Sequence, residues 1–136
     1  MNEIVIFEPE HLIGFDNIEI PIGDPVVEGK AHKKHGPAYT VMADGSPACC
    51  FGAHMTRPEV GIVWMYLSKS KAGPSVLKCV RDSLEFVMPN YRRLSAVCLT
   101  GSKFAKTLAF LGFQLEGIMR QIGPDFSDRA LWSRIR

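Results

Sequence analysis

Two apolar runs, residues 60–67 and 94–99, flank a segment whose apolar residues recur at helical spacing, and this triplet limits the fold more than any other feature. The first run is apolar at nearly every position rather than at alternate ones, which is the pattern of a strand covered on both faces. Between the runs, Val76, Val80, Leu84 and Val87 fall on one helical stripe, and Lys78, Arg81, Asp82 and Glu85 fall outside it. Gly73-Pro74-Ser75 opens the helix and Pro89-Asn90 closes it. A strand, a helix and a strand in this order make a right-handed crossover, so the two strands are expected to lie parallel and adjacent.

The flanking segments add antiparallel partners. Residues 3–7 read as a strand, and Glu8-Pro9-Glu10 reads as the start of a short helix. Residues 38–42 and 48–55 form a hairpin about the turn Asp44-Gly45. A short helix carries Phe104, Leu108 and Leu111 and ends at Gly112, a residue suited to a left-handed cap. Strands over residues 113–122 and 129–135 close the chain. Residues 14–37, punctuated by Gly and Pro, show no sustained period. The expected fold is α/β (α+β): a mixed central sheet of about six or seven strands with helices on both faces.

Length and charge narrow the function. At 136 residues and 46% hydrophobic side chains the chain can bury one core, and one domain over residues 1–136 is expected. A formal charge of +2 with 22% charged residues gives no basis for a specific nucleic-acid partner. No apolar run approaches the roughly 20 residues of a membrane helix. The start Met1-Asn2-Glu3 lacks the basic segment of a secretory signal, so the cytoplasm is the expected location. Cys49, Cys50, Cys79 and Cys98 sit in apolar patterns without ligand spacing, so neither a disulfide framework nor a metal site is expected.

From about residue 38 onward the chain resembles the GNAT superfamily of N-acetyltransferases. The phrase Leu111-Gly112-Phe113 followed by Glu116-Gly117, the last strand around Asp128-Arg129-Ala130-Leu131-Trp132, and the hairpin at Asp44-Gly45-Ser46-Pro47 carry the resemblance. The short length and the run Trp64 to Ser68 look closest to compact GNAT-like proteins of phages and prophages, a resemblance that would admit association with a virion.

The resemblance implies a sheet that splits between the two parallel strands near Leu67 and Leu99, admitting the pantetheine arm of acetyl-coenzyme A, with a bulge as the usual cause. Strand-like pairing of that arm makes Met65, Tyr66 and Leu67 cofactor contacts through the backbone. The pyrophosphate is then expected at the start of the helix, on Gly73, Ser75 and Val76, where N–H groups are free of intrahelical partners. Lys69 and Lys71 are expected to assist as mobile cations. The family's phosphate signature is altered: Ser68 and Lys71 hold its first two positions if Gly73 is its last. Leu108 stands where many members place a proton-donating Tyr.

Transfer of an acetyl group by direct attack of an unidentified amine needs a base and a polarising donor. Glu59 and Tyr66 are the catalytic candidates, with His54 and Ser102 behind them. Trp64 and Trp132 read as core. The alternative is a GNAT-fold phage structural or host-interaction protein without catalysis. The edges of the final hairpin could be covered by its own sheet or by a second copy, and a homodimer is the expectation.

Overall fold

The computed structural model describes residues 2–18 and 22–136. The strands are β1 (Asn2–Ile6), β2 (Ala38–Ala43), β3 (Ser46–Arg57), β4 (Val60–Leu67), β5 (Arg93–Leu99), β6 (Gln114–Met119) and β7 (Arg129–Ile135). The α-helices are α1 (Pro25–Lys34), α2 (Pro74–Val87) and α3 (Phe104–Phe110), and 3-10 turns cover Pro9–Leu12 and Met88–Asn90. The strands form one seven-stranded sheet in the order β1-β2-β3-β4-β5-β7-β6. Among the described residues every strand pairing is antiparallel except β4 with β5. The expected mixed sheet and parallel pair are therefore present.

Alternation along the strands divides the core between the two faces. Cys49, Phe51 and Ala53 of β3 and Val63 and Leu67 of β4 pack with Val76, Val80 and Leu84 of α2 and with Phe104 and Leu108 of α3. Cys50 turns the other way, toward Phe7, Leu12 and Ala38, with Trp64 and Tyr66 packed alongside. Helix α2 holds through its buried stripe, and truncating Leu84, 2% exposed, to Ala removes about 2–5 kcal/mol.

Residues 14–37 conceal a helix. Asp24 caps α1 by accepting from the N–H groups of Val26 and Val27, at 3.0 and 3.2 Å, and Pro25 supplies the first turn. Its middle residue, Gly29, is needed for contact: a Cβ there would lie 2.7 Å from the Cα of Pro9. The hairpin turn is also as the sequence requires, with Asp44 at φ 50° and Gly45 at φ 80°.

Strand β4 departs from the expectation of burial on both faces. Ile62 is 45% exposed and Trp64, Met65 and Tyr66 are half-buried, because the strand that should flank them moves away.

Candidate functional site

Strands β3 and β4 keep one register from Met55↔Gly61 to Cys49↔Leu67. Strands β4 and β5 pair at Val60↔Arg93, Gly61↔Leu94 and Ile62↔Ser95 and then part. The break in β3–β4 pairing falls at Met55/Arg57, near the start of β4. A bulge in β4 therefore does not open the sheet; β5 leaves a strand that stays regular.

The parting begins well before Leu67 and Leu99. It encloses a cleft of about 250 Å³ walled by Val63, Trp64, Met65 and Tyr66 on one side and Ala96, Val97, Phe104 and Leu108 on the other. Phe104 also borders a wider space of about 470 Å³ lined by Ile18, Lys69, Leu99 and Ser102. Ser102 Oγ is buried there without a hydrogen-bond partner among the described residues.

Alternation decides which peptide groups face the cleft. Ala53, opposite Val63, donates its N–H to Pro37 on the β2 side, at 3.3 Å, so Val63 directs its own N–H and C=O away from β3. Two and four residues on, Met65 and Leu67 point the same way. Leu67 is engaged by the protein itself: its N–H donates to Asn17 Oδ1 and its C=O accepts from Ile18 N–H, both at 3.0 Å. Of the three backbone candidates, Met65 faces the cleft, Tyr66 turns its peptide toward β3, and Leu67 is occupied. Val63 joins Met65 through its C=O alone, since its N–H serves the last parallel pair, Ile62↔Ser95.

At the start of α2, Gly73 is the N-cap with no side-chain cap, and Pro74 follows it. Ser75 is exposed and its Oγ accepts from Asn2 Nδ2 at 3.0 Å. Val76 is 2% exposed and contributes its side chain to the core, leaving only its backbone for a ligand. Lys69 and Lys71 are exposed.

The preceding turn holds an anion belonging to the chain. Asp16 accepts from Ser68 Oγ at 2.5 Å, from Ser70 Oγ at 2.9 Å and from Ser70 N–H at 3.2 Å. The Ser68 hydroxyl, foremost, holds this carboxyl below its ordinary pKa. Asp16 and Asn17 were invisible as site residues because they lie in the segment without a period.

Glu59 is not brought to the cleft. It stands in the β3–β4 turn at φ 61°, and its side chain pairs with Arg136 at 3.7 Å. Its carbonyl accepts from the N–H groups of Arg92 and Arg93, at 2.8 and 3.3 Å, at the end where β4 and β5 are joined. Eight residues of extended chain, about 26 Å, separate it from Leu67.

Tyr66 does line the cleft, in company the sequence did not disclose. His32 of α1 brings Nε2 to 2.8 Å from the Tyr66 hydroxyl and Nδ1 to 3.3 Å from His54 Nε2. Its ring stacks on Trp64 at 4.1 Å between centroids, with 15° between planes. Burial, and then the nearby His54 and His35, lower the His32 pKa to about 4. Burial, aided by Glu28 and Cys50, raises that of Tyr66 to about 12. At neutral pH both groups are uncharged, so this pair can pass or polarise a proton without a standing ion.

Burial also raises the thiol pKa values of Cys49 and Cys50, the latter to about 12, which keeps them from acting as nucleophiles. Among the described residues no cluster of His, Cys, Asp and Glu suits a metal ion.

A mixed seven-stranded sheet that opens between parallel β4 and β5, with a helix starting at the mouth, is the GNAT acetyltransferase fold. The sequence matches no family profile and no curated protein. Solved structures do match. A GNAT-family acetyltransferase from Streptococcus pneumoniae superposes with a TM-score of 0.74 at 13% identity over 99% of both chains. The Salmonella typhimurium acetyl transferase that modifies the N-terminal serine of ribosomal protein L7/L12 gives 0.77 at 13% identity, over 100% of this chain and 95% of that one. A ribosomal L7/L12 α-N-protein acetyltransferase solved with coenzyme A gives 0.76 at 13% identity, over 98% and 93%. At such identities the likeness is one of fold.

Proposed function

We propose that this chain is an acetyl-coenzyme A dependent N-acetyltransferase in which an amine attacks the thioester directly. The observation that carries the reading is the cleft beyond Ile62 and Ser95, into which the Val63 C=O and the Met65 N–H and C=O are directed. An amide-bearing arm laid there would continue the β4 edge as a strand does. The backbone at Gly73, Ser75 and Val76 would meet the pyrophosphate, with Lys69 and Lys71 nearby. The solved relative holding coenzyme A supports this choice of co-substrate. Acetyl-coenzyme A supplies the activated acyl group; the chain orients it, excludes water with Phe104 and Leu108, and places Tyr66 beside the reacting nitrogen.

Direct attack is favoured over an acyl-enzyme because Cys49, Cys50 and Cys98 are sealed in the core at 1% exposure or less. A second reading, a GNAT-fold module without catalysis, draws support from Asp16 in the Ser68–Ser70 turn and from Leu108.

Calorimetry with acetyl-coenzyme A, followed by thiol release in the presence of a panel of small amines and peptides with free N-termini, separates the two. Micromolar affinity and amine-dependent thiol release are expected. Absence of binding at millimolar ligand would overturn the acetyltransferase reading and leave the module reading ahead.

A further inference from the structure

Of the side-chain clusters outside the co-substrate contacts, one stands apart because it joins the cleft wall to another layer of the fold. Tyr66 of β4, His32 of α1 and His54 of β3 form an unbroken series of hydrogen-bonding atoms, with gaps of 2.8 and 3.3 Å. Tyr66 forms part of the cleft wall. His54 is only half-buried, which gives the series an outlet toward solvent.

We propose that Tyr66, His32 and His54 are a proton relay that removes the proton of the acceptor amine during acetyl transfer. This rests on the acetyltransferase reading and assigns the base that reading lacks. His32 and His54 act through Tyr66 as positioning and relay residues, and Tyr66 alone meets the amine.

Three features support the direction of transfer. The stack of His32 on Trp64 fixes the imidazole plane, so that Nε2 meets the Tyr66 hydroxyl while Nδ1 meets His54. His32 remains neutral through the physiological range, so Nε2 can accept from the Tyr66 O–H while Nδ1 carries the hydrogen toward His54. The Tyr66 oxygen then keeps lone pairs for an amine N–H. The groups that face this series are His54 and Cys50 from β3, Glu28 from α1, His35 just beyond the end of α1, and Tyr66 from β4. Both neighbouring histidines oppose a charge on His32, which discourages the proton from resting there.

The step balances without a further reactant. The amine nitrogen bonds to the acetyl carbon and the carbon–sulfur bond breaks, its electron pair leaving on sulfur. As the N–C bond forms, the nitrogen becomes far more acidic than a free ammonium. Its proton passes to the Tyr66 oxygen as the Tyr66 hydrogen moves to His32 Nε2, and the His32 Nδ1 hydrogen moves to His54 Nε2. His54 releases a proton from Nδ1 to water, and the thiolate takes one from water. Before the next turnover a proton returning from water to His54 Nδ1 drives the same shifts in reverse, and the Tyr66 hydroxyl gives its displaced proton to water in the emptied cleft, which restores the starting tautomers.

Two measurements test the relay. Long-range proton–nitrogen NMR of histidine-labelled protein should find His32 neutral at pH 6–7, protonated on Nδ1 and bare on Nε2, with both nitrogens shifting in Tyr66→Phe. Protonation on Nε2, or no response to Tyr66→Phe, overturns the relay whether or not the protein turns over. In acetyl transfer, His32→Gln and His54→Gln should lower kcat by about ten- to a hundredfold, at or below the usual span for acid–base groups, with KM for acetyl-coenzyme A within about twofold. Tyr66→Phe combined with His32→Gln should be no slower than Tyr66→Phe alone, an outcome that merely structural roles would not give. His54→Gln, at a half-buried site, remains informative if His32→Gln unfolds. A wild-type protein that turns over while both histidine variants keep full kcat overturns the relay alone. A wild-type protein with no turnover on any amine overturns the acetyltransferase reading and the relay with it.

Discussion

The cleft between β4 and β5 and the turn leading into α2 adjoin at the carboxyl end of β4, yet they treat a ligand in opposite ways. In the cleft, β5 has moved off after Ser95, and the Val63 C=O and the Met65 peptide groups face open space. In the turn, Asp16 already draws on Ser68 and Ser70, and residues 17–18 pair with Leu67. The arm of a thioester would meet unused backbone, whereas its phosphates would compete with a carboxylate of the same sign. The difference teaches that opening a sheet does not by itself complete a nucleotide-type site: the two halves must be vacated separately.

The sharpest way to break this contrast is to fill the open half. Val97 lines the cleft and is 48% exposed, so Val97→Trp should fold normally while lowering acetyl-coenzyme A affinity at least about thirtyfold, or about 2 kcal/mol. Unchanged affinity by calorimetry would place the ligand elsewhere.

Clearing the filled half should do the reverse with a smaller effect. Asp16→Ala removes the like charge and releases both serine hydroxyls, so affinity for coenzyme A should rise by about three- to tenfold, or about 1 kcal/mol. A loss of affinity would recast Asp16 as a scaffold that shapes the turn for phosphate.

The pH dependence of stability probes the wall that the cleft shares with α1. His32 has its folded pKa depressed to about 4, against 6.5 for an ordinary imidazole, so the unfolded chain takes the proton first as pH falls. Its contribution is fully present above pH 6.5 and declines from there to about pH 4. Thermal melts across that window should show a slope that His32→Gln reduces; an unaltered slope would mean the ring is not shielded.

The smallest effect is expected at the joined end of the strands. Glu59→Gln loses only a solvent-exposed contact with Arg136 and should shift stability by no more than about 0.5 kcal/mol and turnover by no more than about twofold.

Sheet and crossover were legible because their strands are apolar beyond what a surface would tolerate and α2 carries a clear stripe. Helix α1 was not, since its apolar residues form no such stripe. It is held instead by the approach of Gly29 to Pro9 and by the His32 stack, both of which require a distant partner. The choice of Glu59 followed from its nearness to β4 in the chain. Polarity decides otherwise: crossover strands open at their carboxyl ends, and Glu59 precedes the amino end. Tyr66 could be placed on the strand but not paired with His32, thirty-four residues away and in the segment without a period.

The indole of Trp64 touches both the cleft and His32, which gives the molecule an optical gauge of its own. A charged imidazole against an indole quenches its emission, so acidification or a bound guest should dim or brighten the fluorescence without any dye. With Trp132→Phe silencing the other indole, a single signal would follow occupancy at one wall and protonation at its neighbour in real time.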